Sequence, residues 1–194
     1  ARMVPTRDDK RRVMAANAAL AAARSMHVTS GAGTDLRLDV GRFPTLPEYG
    51  YADVAGHWDH WPSGFLSTWP DEGSAEGQVV IDVGDMLFPF KRYVESAPIR
   101  LRIEAGFIVD IAGGFEADYL KRHLASYRDP GAYAVSHVGW GLQPRARWTG
   151  LGMRDKAQSL GMDARAYYGN FLFSTGPNAE AGGGNHSACH VDIP

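Results

Sequence analysis

The sequence predicts an α+β fold, a mixed or antiparallel sheet with flanking helices, and three observations carry that prediction. Apolar and polar residues alternate over several short runs, the period-two mark of half-buried strands. Two such runs are joined by Ala105-Gly106 and read as a hairpin. The helical stretches stand apart from one another, which disfavours a regular β-α-β series.

The first element is a helix from about Thr6 to Met26, with Thr6 as its cap and an alanine-rich body. Thr34 to Val40 alternates polar and apolar and reads as a strand. From Gly41 to Gly77 the character changes to glycines, prolines and three tryptophans with little periodicity. Such a long irregular stretch is where loop-borne function sits. Strand signals return over Gln78 to Val83, and the hairpin follows at Ile99 to Glu104 and Phe107 to Ile111. Phe115 to Tyr127 is a second helix, with Phe115, Tyr119, Leu120, His123 and Leu124 at helical spacing. Ala132 to Val138 and Ala166 to Phe173 are further strand candidates. Thr175 to Asn185 is a glycine-rich loop, and Ser187 to Ile193 reads as a last strand. There is no internal repeat.

The last strand carries the most informative feature, His190-Val191-Asp192. Side chains alternate faces along a strand, so His190 and Asp192 point the same way. An imidazole and a carboxylate aimed at one point are half of a metal site. A second histidine would complete the two-His-one-carboxylate set that suits non-haem Fe(II) and leaves positions open for oxygen and substrate. His137 is the candidate, because it ends an apolar run and enters the turn-rich Gly139-Trp140-Gly141. On the residues alone, a merely hydrogen-bonded histidine beneath the tryptophan accounts for it as well.

Three other constellations bear on chemistry. His57 and His60 sit three apart around Asp59, followed by Trp61, Pro62 and Ser63. They could form a separate metal site, or His60 could face a substrate between Trp58 and Trp61, or the segment could be a rigid aromatic loop. Gly176 and Gly182 to Gly184 precede a strand rather than a helix, which disfavours phosphate binding. Close backbone approach to the His-x-Asp strand, or a lid, is the better use for them. Cys189 adjoins His190 but faces the opposite side, so a thiolate-imidazole pair is badly placed. Ser174 lacks a Gly-x-Ser-x-Gly context; its hydroxyl either donates to a bound substrate or is satisfied by its own turn.

Composition narrows the partners. With 194 residues, 44% hydrophobic and 22% charged, the chain reads as one soluble domain able to bury a core. A net charge of −2, with Lys10-Arg11-Arg12 offset by Asp8 and Asp9, argues against nucleic acid. A single cysteine fits a reducing compartment, and no apolar run reaches membrane-spanning length. A cytoplasmic protein is expected, with no membrane partner. The chain starts on Ala1 and stops at Pro194, just past the His-x-Asp strand, where a bare terminus would fray. Residues 1–194 are therefore expected to form a single metal-binding catalytic domain, a C-terminal fragment of a longer chain that continues past Pro194.

From Gly33 onward the chain resembles the C-terminal metal-binding part of the aminopeptidase T-type (leucyl aminopeptidase-like) metallopeptidases. Gly33-Thr34-Asp35-Leu36 matches the Gly-Thr-Asp-Leu that opens a strand in that family. His60-Trp61-Pro62-Ser63-Gly64-Phe65 stands where the family has Asn-Leu-Pro-Ser-Gly-Glu. Gly141, Gln143 and Pro144 keep the spacing that follows a metal-binding Glu, whose own position is His137. A family histidine has no counterpart near Gly169-Asn170, whereas the terminal His-x-Asp is kept as His190 and Asp192. The peptidases hold two metals with several carboxylates; Phe65 binds none, so what survives suffices for one ion. The branch with that change resembles the 2,5-dihydroxypyridine 5,6-dioxygenases of nicotinate and nicotine breakdown.

That resemblance implies Fe(II) on His137, His190 and Asp192, and ring cleavage of 2,5-dihydroxypyridine by O2 to N-formylmaleamate. It implies His60 as acid/base or substrate-orienting group and Ser174 as donor to a ring substituent. Trp61 and Phe65 would wall the pocket, and a homo-oligomer is expected. The rival readings are a metallo-aminopeptidase-like hydrolase and a non-catalytic oligomerisation domain.

Overall fold

The computed structural model describes residues 2–88, 90–153, 155–158 and 161–194. Helix α1 (Arg7–Ala22) starts with a capping box: Asp9 N donates to Thr6 Oγ1, and Thr6 N donates to Asp9 Oδ2. Such a cap contributes roughly 1 kcal/mol. The helix ends at Ala22, short of the Met26 that its alanine content suggests. The β-prone residues that follow instead form β1 (Ser25–Thr29), paired with β2 (Asp35–Asp39). Val28 and Thr29 are β-branched, and pairing with β2 carries Ser25 and Met26 into the strand with them.

One five-stranded antiparallel sheet has the order β1, β2, β5 (Glu76–Ile81), β8 (Ile99–Glu104), β9 (Phe107–Ala112). The second runs β12 (Val191–Ile193), β11 (Phe171–Thr175), β10 (Val135–Gly141), β4 (Phe65–Thr68), β3 (Thr45–Glu48). A short ribbon pairs β6 (Met86–Leu87) with β7 (Arg92–Tyr93). Alternation in β2 and β8 turns Leu36, Leu38, Ile99, Leu101 and Ile103 inward, where they meet Val138, Phe173, Val191 and Ile193 of the second sheet. Burying each such aliphatic side chain is worth ~1.5–3 kcal/mol. Helix α2 (Phe115–Ser126) closes this core through Ala117, Leu120 and Leu124. Helix α1 covers the second sheet at β3 and β4, with Val13 and Leu20 against Tyr49 and Leu66.

The expected α+β class with antiparallel sheets and flanking helices is the one found. The irregular stretch 41–77 holds more than loop, since β3, β4 and the start of β5 lie in it. Two expected strands begin late: Pro130–Tyr133 is a 3-10 turn ahead of β10, and helix α3 (Met162–Arg165) precedes β11. The last strand is shorter than its alternation suggests and covers only Val191–Ile193. Among the described residues no helix is long and apolar enough to cross a membrane.

Candidate metal centre

Inward Val138, Phe173, Val191 and Ile193 fix which residues of the second sheet face the other way. Those include His137, Ser174 and Asp192, with Ser174 directly opposite Asp192 in the β11–β12 register. His190 lies one step before β12, and alternation holds through it: Cys189 and Val191 are fully buried in the core while His190 and Asp192 share the outer face. Gly176 makes this packing feasible. Its φ is +108°, and a Cβ there would stand 1.9 Å from the Cys189 carbonyl oxygen. The glycine-rich loop is thus a close-approach device beside the His-x-Asp segment. Asn178, Asn185 and the Gly184 amide tie the rest of it to Glu72 and Gly131.

A β-bulge aims His137. Val135 pairs with Thr175 and Val138 with Phe173, so Ser136 and His137 together face the single residue Ser174. The Ser174 hydroxyl donates 2.7 Å to the His137 carbonyl that the interrupted ladder leaves over, and Ser174 is fully buried. Trp69, just past β4, packs edge-on against the His137 ring with centroids 6.0 Å apart.

The three polar tips converge. His137 Nε2 lies 3.3 Å from His190 Nε2, and Asp192 Oδ1 lies 3.2 and 3.1 Å from those two nitrogens. Two ligands at right angles on ~2.1 Å bonds would stand ~3.0 Å apart, so these separations fit one facial triad around a single ion. The donor chemistry fits as well. His190 Nδ1 lies 3.0 Å from the Thr175 carbonyl and donates to it in the tautomer that leaves the Nε2 lone pair free. The other Asp192 oxygen, Oδ2, is held by Arg165 Nη2. Burial opposes ionisation of Asp192, but hydrogen bonds from His137 and His190 and the Arg165 charge outweigh it and hold the carboxyl well below its usual range. Burial likewise disfavours charge on His190, yet Asp192 beside it prevails and raises its pKa. His190 is the most exposed of the three side chains at 36%, so the centre opens past it. Among the described residues this is the only group of three His, Cys, Asp or Glu whose ligand atoms lie so close together.

The remaining predicted residues sit elsewhere on the same sheet or beyond it. Phe65 pairs with Glu48 and Gly141, roughly 13 Å along β10 from His137, and is buried against Met162 and Leu172. His60 is near it, with ring centroids 6.2 Å apart, and its Nδ1 is 2.5 Å from Glu48 Oε1. Burial pushes the Glu48 carboxyl up, while the His60 contact opposes the rise. Trp61 stands 68% exposed on the loop after β3. His57 stacks on Tyr49 and meets Asp59, which also accepts from the Tyr49 and Gly50 amides. His57 and His60 therefore turn to different carboxylates and do not converge. The sequence reading passed over Arg165, Trp69 and Glu48. Each meets its partner only through tertiary packing, and none lies in a periodic run.

With this geometry in place, similarity to known proteins becomes informative. The whole chain, residues 1–194, matches the family described as NicX: 2,5-dihydroxypyridine 5,6-dioxygenase. The chain belongs to this family. Within it, a 2,5-dihydroxypyridine 5,6-dioxygenase of Pseudomonas putida KT2440 is 59% identical over all 194 residues. The solved 2,5-dihydroxypyridine dioxygenase from that organism superposes with a TM-score of 0.97 at 58% identity. The chain spans 55% of the length of both relatives. Wild-type AmpT from Thermus thermophilus shares the fold, with a TM-score of 0.68 at 20% identity over all of this chain and 50% of its own.

Proposed function

We propose that this chain carries the iron centre of a ring-cleaving dioxygenase that converts 2,5-dihydroxypyridine and O2 to N-formylmaleamate in nicotinate or nicotine degradation. The observation that carries the reading is the convergence of His137 Nε2, His190 Nε2 and Asp192 Oδ1 within 3.3 Å. Family membership and the activity for which the Pseudomonas putida relative is named support it. His137, His190 and Asp192 would hold Fe(II), which when bound supplies open positions where an electron-rich ring and O2 meet.

The chain's own residues then divide the work. Ser174 holds the His137 bulge in place; because its one proton goes to the His137 carbonyl, the expected donor role is not open to it, and its proposed bond to a ring substituent would be an accepted one. His60 is the proposed proton carrier or orienting group, its Nδ1 fixed by buried Glu48 so that Nε2 exchanges the proton. Trp61, exposed on its loop, and Phe65, buried roughly 13 Å along β10 from His137, are the proposed apolar wall; at that distance they would line the approach beside His60 rather than touch a ring bound at the triad. We place the protein in the cytoplasm, as a homo-oligomer with no nucleic-acid or membrane partner. The modest net charge and single cysteine support that placement.

The test is oxygen uptake by the anaerobically iron-loaded full-length protein on addition of 2,5-dihydroxypyridine. Stoichiometric O2 consumption with N-formylmaleamate as product is expected. Iron loading without substrate-dependent uptake would refute the assigned reaction, and two tightly bound metals per chain would favour a hydrolase instead.

A further inference from the structure

We propose that Arg165 is a positioning residue that restricts Asp192 to ligation through one oxygen, so that the centre keeps a position which a two-oxygen carboxylate would occupy. This rests on the reading of His137, His190 and Asp192 as metal ligands. The two oxygens of Asp192 already do different things. Oδ1 faces both imidazoles, at 3.2 and 3.1 Å, while Oδ2 is paired with Arg165 Nη2. For Oδ2 to swing toward an ion shared with Oδ1, it must leave the guanidinium. Both side chains are largely buried, 18% and 7% exposed, so the swing would strip a charge-assisted bond without water to replace it.

The guanidinium is itself held. Its centre lies over the Phe88 ring at 4.8 Å, and it projects from the last residue of α3. Phe88 in turn is locked to Asp192 through the backbone: Phe88 N donates to Asp192 O at 2.8 Å and Asp192 N to Phe88 O at 2.9 Å. Ring, guanidinium and carboxylate therefore form one unit on the edge of the second sheet. The positive charge of Arg165 also offsets the negative charge of the Asp192 carboxylate. A divalent ion held by two neutral imidazoles and this pair keeps its charge uncompensated, which favours a substrate that brings anionic donor atoms.

The experiment uses the full-length protein loaded with Mn(II). Coordinated waters are counted from the broadening of the Mn(II) resonance in 17O-enriched water, in wild type, Arg165→Gln and Arg165→Lys. Arg165→Gln is expected to hold one water fewer than wild type, and Arg165→Lys, which keeps a cation near Oδ2, to hold the wild-type number. An unchanged count in folded Arg165→Gln would overturn the proposal. Because a buried arginine variant can fail to fold, the wild type is also read by infrared difference spectroscopy, Mn(II)-loaded minus metal-free, with carboxyl-labelled aspartate. The wide separation of the two carboxylate stretches that marks one-oxygen binding is expected, and the narrow separation of two-oxygen binding would overturn it. Failure of the wild type to take up Mn(II) stoichiometrically would instead overturn the metal-site reading beneath it, so the two failures are distinct.

Discussion

Replacing Ser174 with alanine tests whether the bulge in β10 is what aims His137. The hydroxyl lies in a fully buried position and donates 2.7 Å to the carbonyl of His137, opposite the two-residue excess of the bulge. Removing it deletes one hydrogen bond and leaves a carbonyl short of its donor, at a cost of ~1–3 kcal/mol. The loss falls on the residue whose Nε2 must stay near 3.2 Å from Asp192 Oδ1. Disturbing groups that orient metal ligands typically weakens metal affinity by roughly 10–100-fold. Ser174→Ala is therefore expected to lower the urea midpoint and to weaken Mn(II) or Fe(II) binding at least about tenfold, or ~1.4 kcal/mol. The assays are urea denaturation of the metal-free protein and anaerobic metal titration. Unchanged stability and metal affinity with only a raised KM would refute the positioning argument and leave Ser174 as a substrate contact.

Three further outcomes follow from the geometry. Gly176→Ala places a Cβ on the Cys189 carbonyl at a φ of +108°, which should cost ~1–3 kcal/mol or more and abolish metal retention in a chelator challenge; retention at wild-type strength would contradict the close-approach role. In the metal-free protein the raised His190 pKa adds stability below the unfolded value of ~6.5 that is lost as pH rises through the folded one. The lowered Asp192 value adds stability above ~3.9 that is lost as pH falls through its folded value. Metal must displace the His190 proton, so affinity should climb with pH up to the raised His190 value and level off above it; a pH-independent affinity would contradict this. Glu48→Gln removes the charge that fixes His60 at 2.5 Å while leaving the triad untouched. It is expected to lower turnover by ~100-fold and move the pH-rate profile, with metal stoichiometry unchanged; unaltered turnover would remove His60 from the reaction.

Much of the site was legible in the sequence because it obeys simple periodicity. His190 and Asp192 share a face, and Cys189 and Val191 enter the core, as alternation requires. His137 was suggested by its place at the end of an apolar run entering Gly139-Trp140-Gly141, and its spacing to Gly141, Gln143 and Pro144 in the family resemblance singled it out. The strands that escaped notice have physical reasons to be silent. All four residues of β4 are buried, so no alternation marks it, and β3 carries Pro47, which an edge strand tolerates but strand rules penalise. Arg165 was invisible for a different reason. Its partner lies 27 residues away, and only the fold of α3 over the sheet edge brings guanidinium to carboxylate. Trp61 and Phe65, read together from one short segment, part company in three dimensions: one is exposed on a loop and the other sealed beneath Met162.

The central claim is that three side chains hold one iron ion. The most direct measurement is Fe(II) per chain after anaerobic loading and desalting of the full-length protein, in wild type and in His137→Ala, His190→Ala and Asp192→Ala. One iron per wild-type chain, lost in each variant while far-UV circular dichroism shows the fold intact, is the predicted result. Iron retained at full stoichiometry in any of the three variants, or absent from the wild type, would contradict the account.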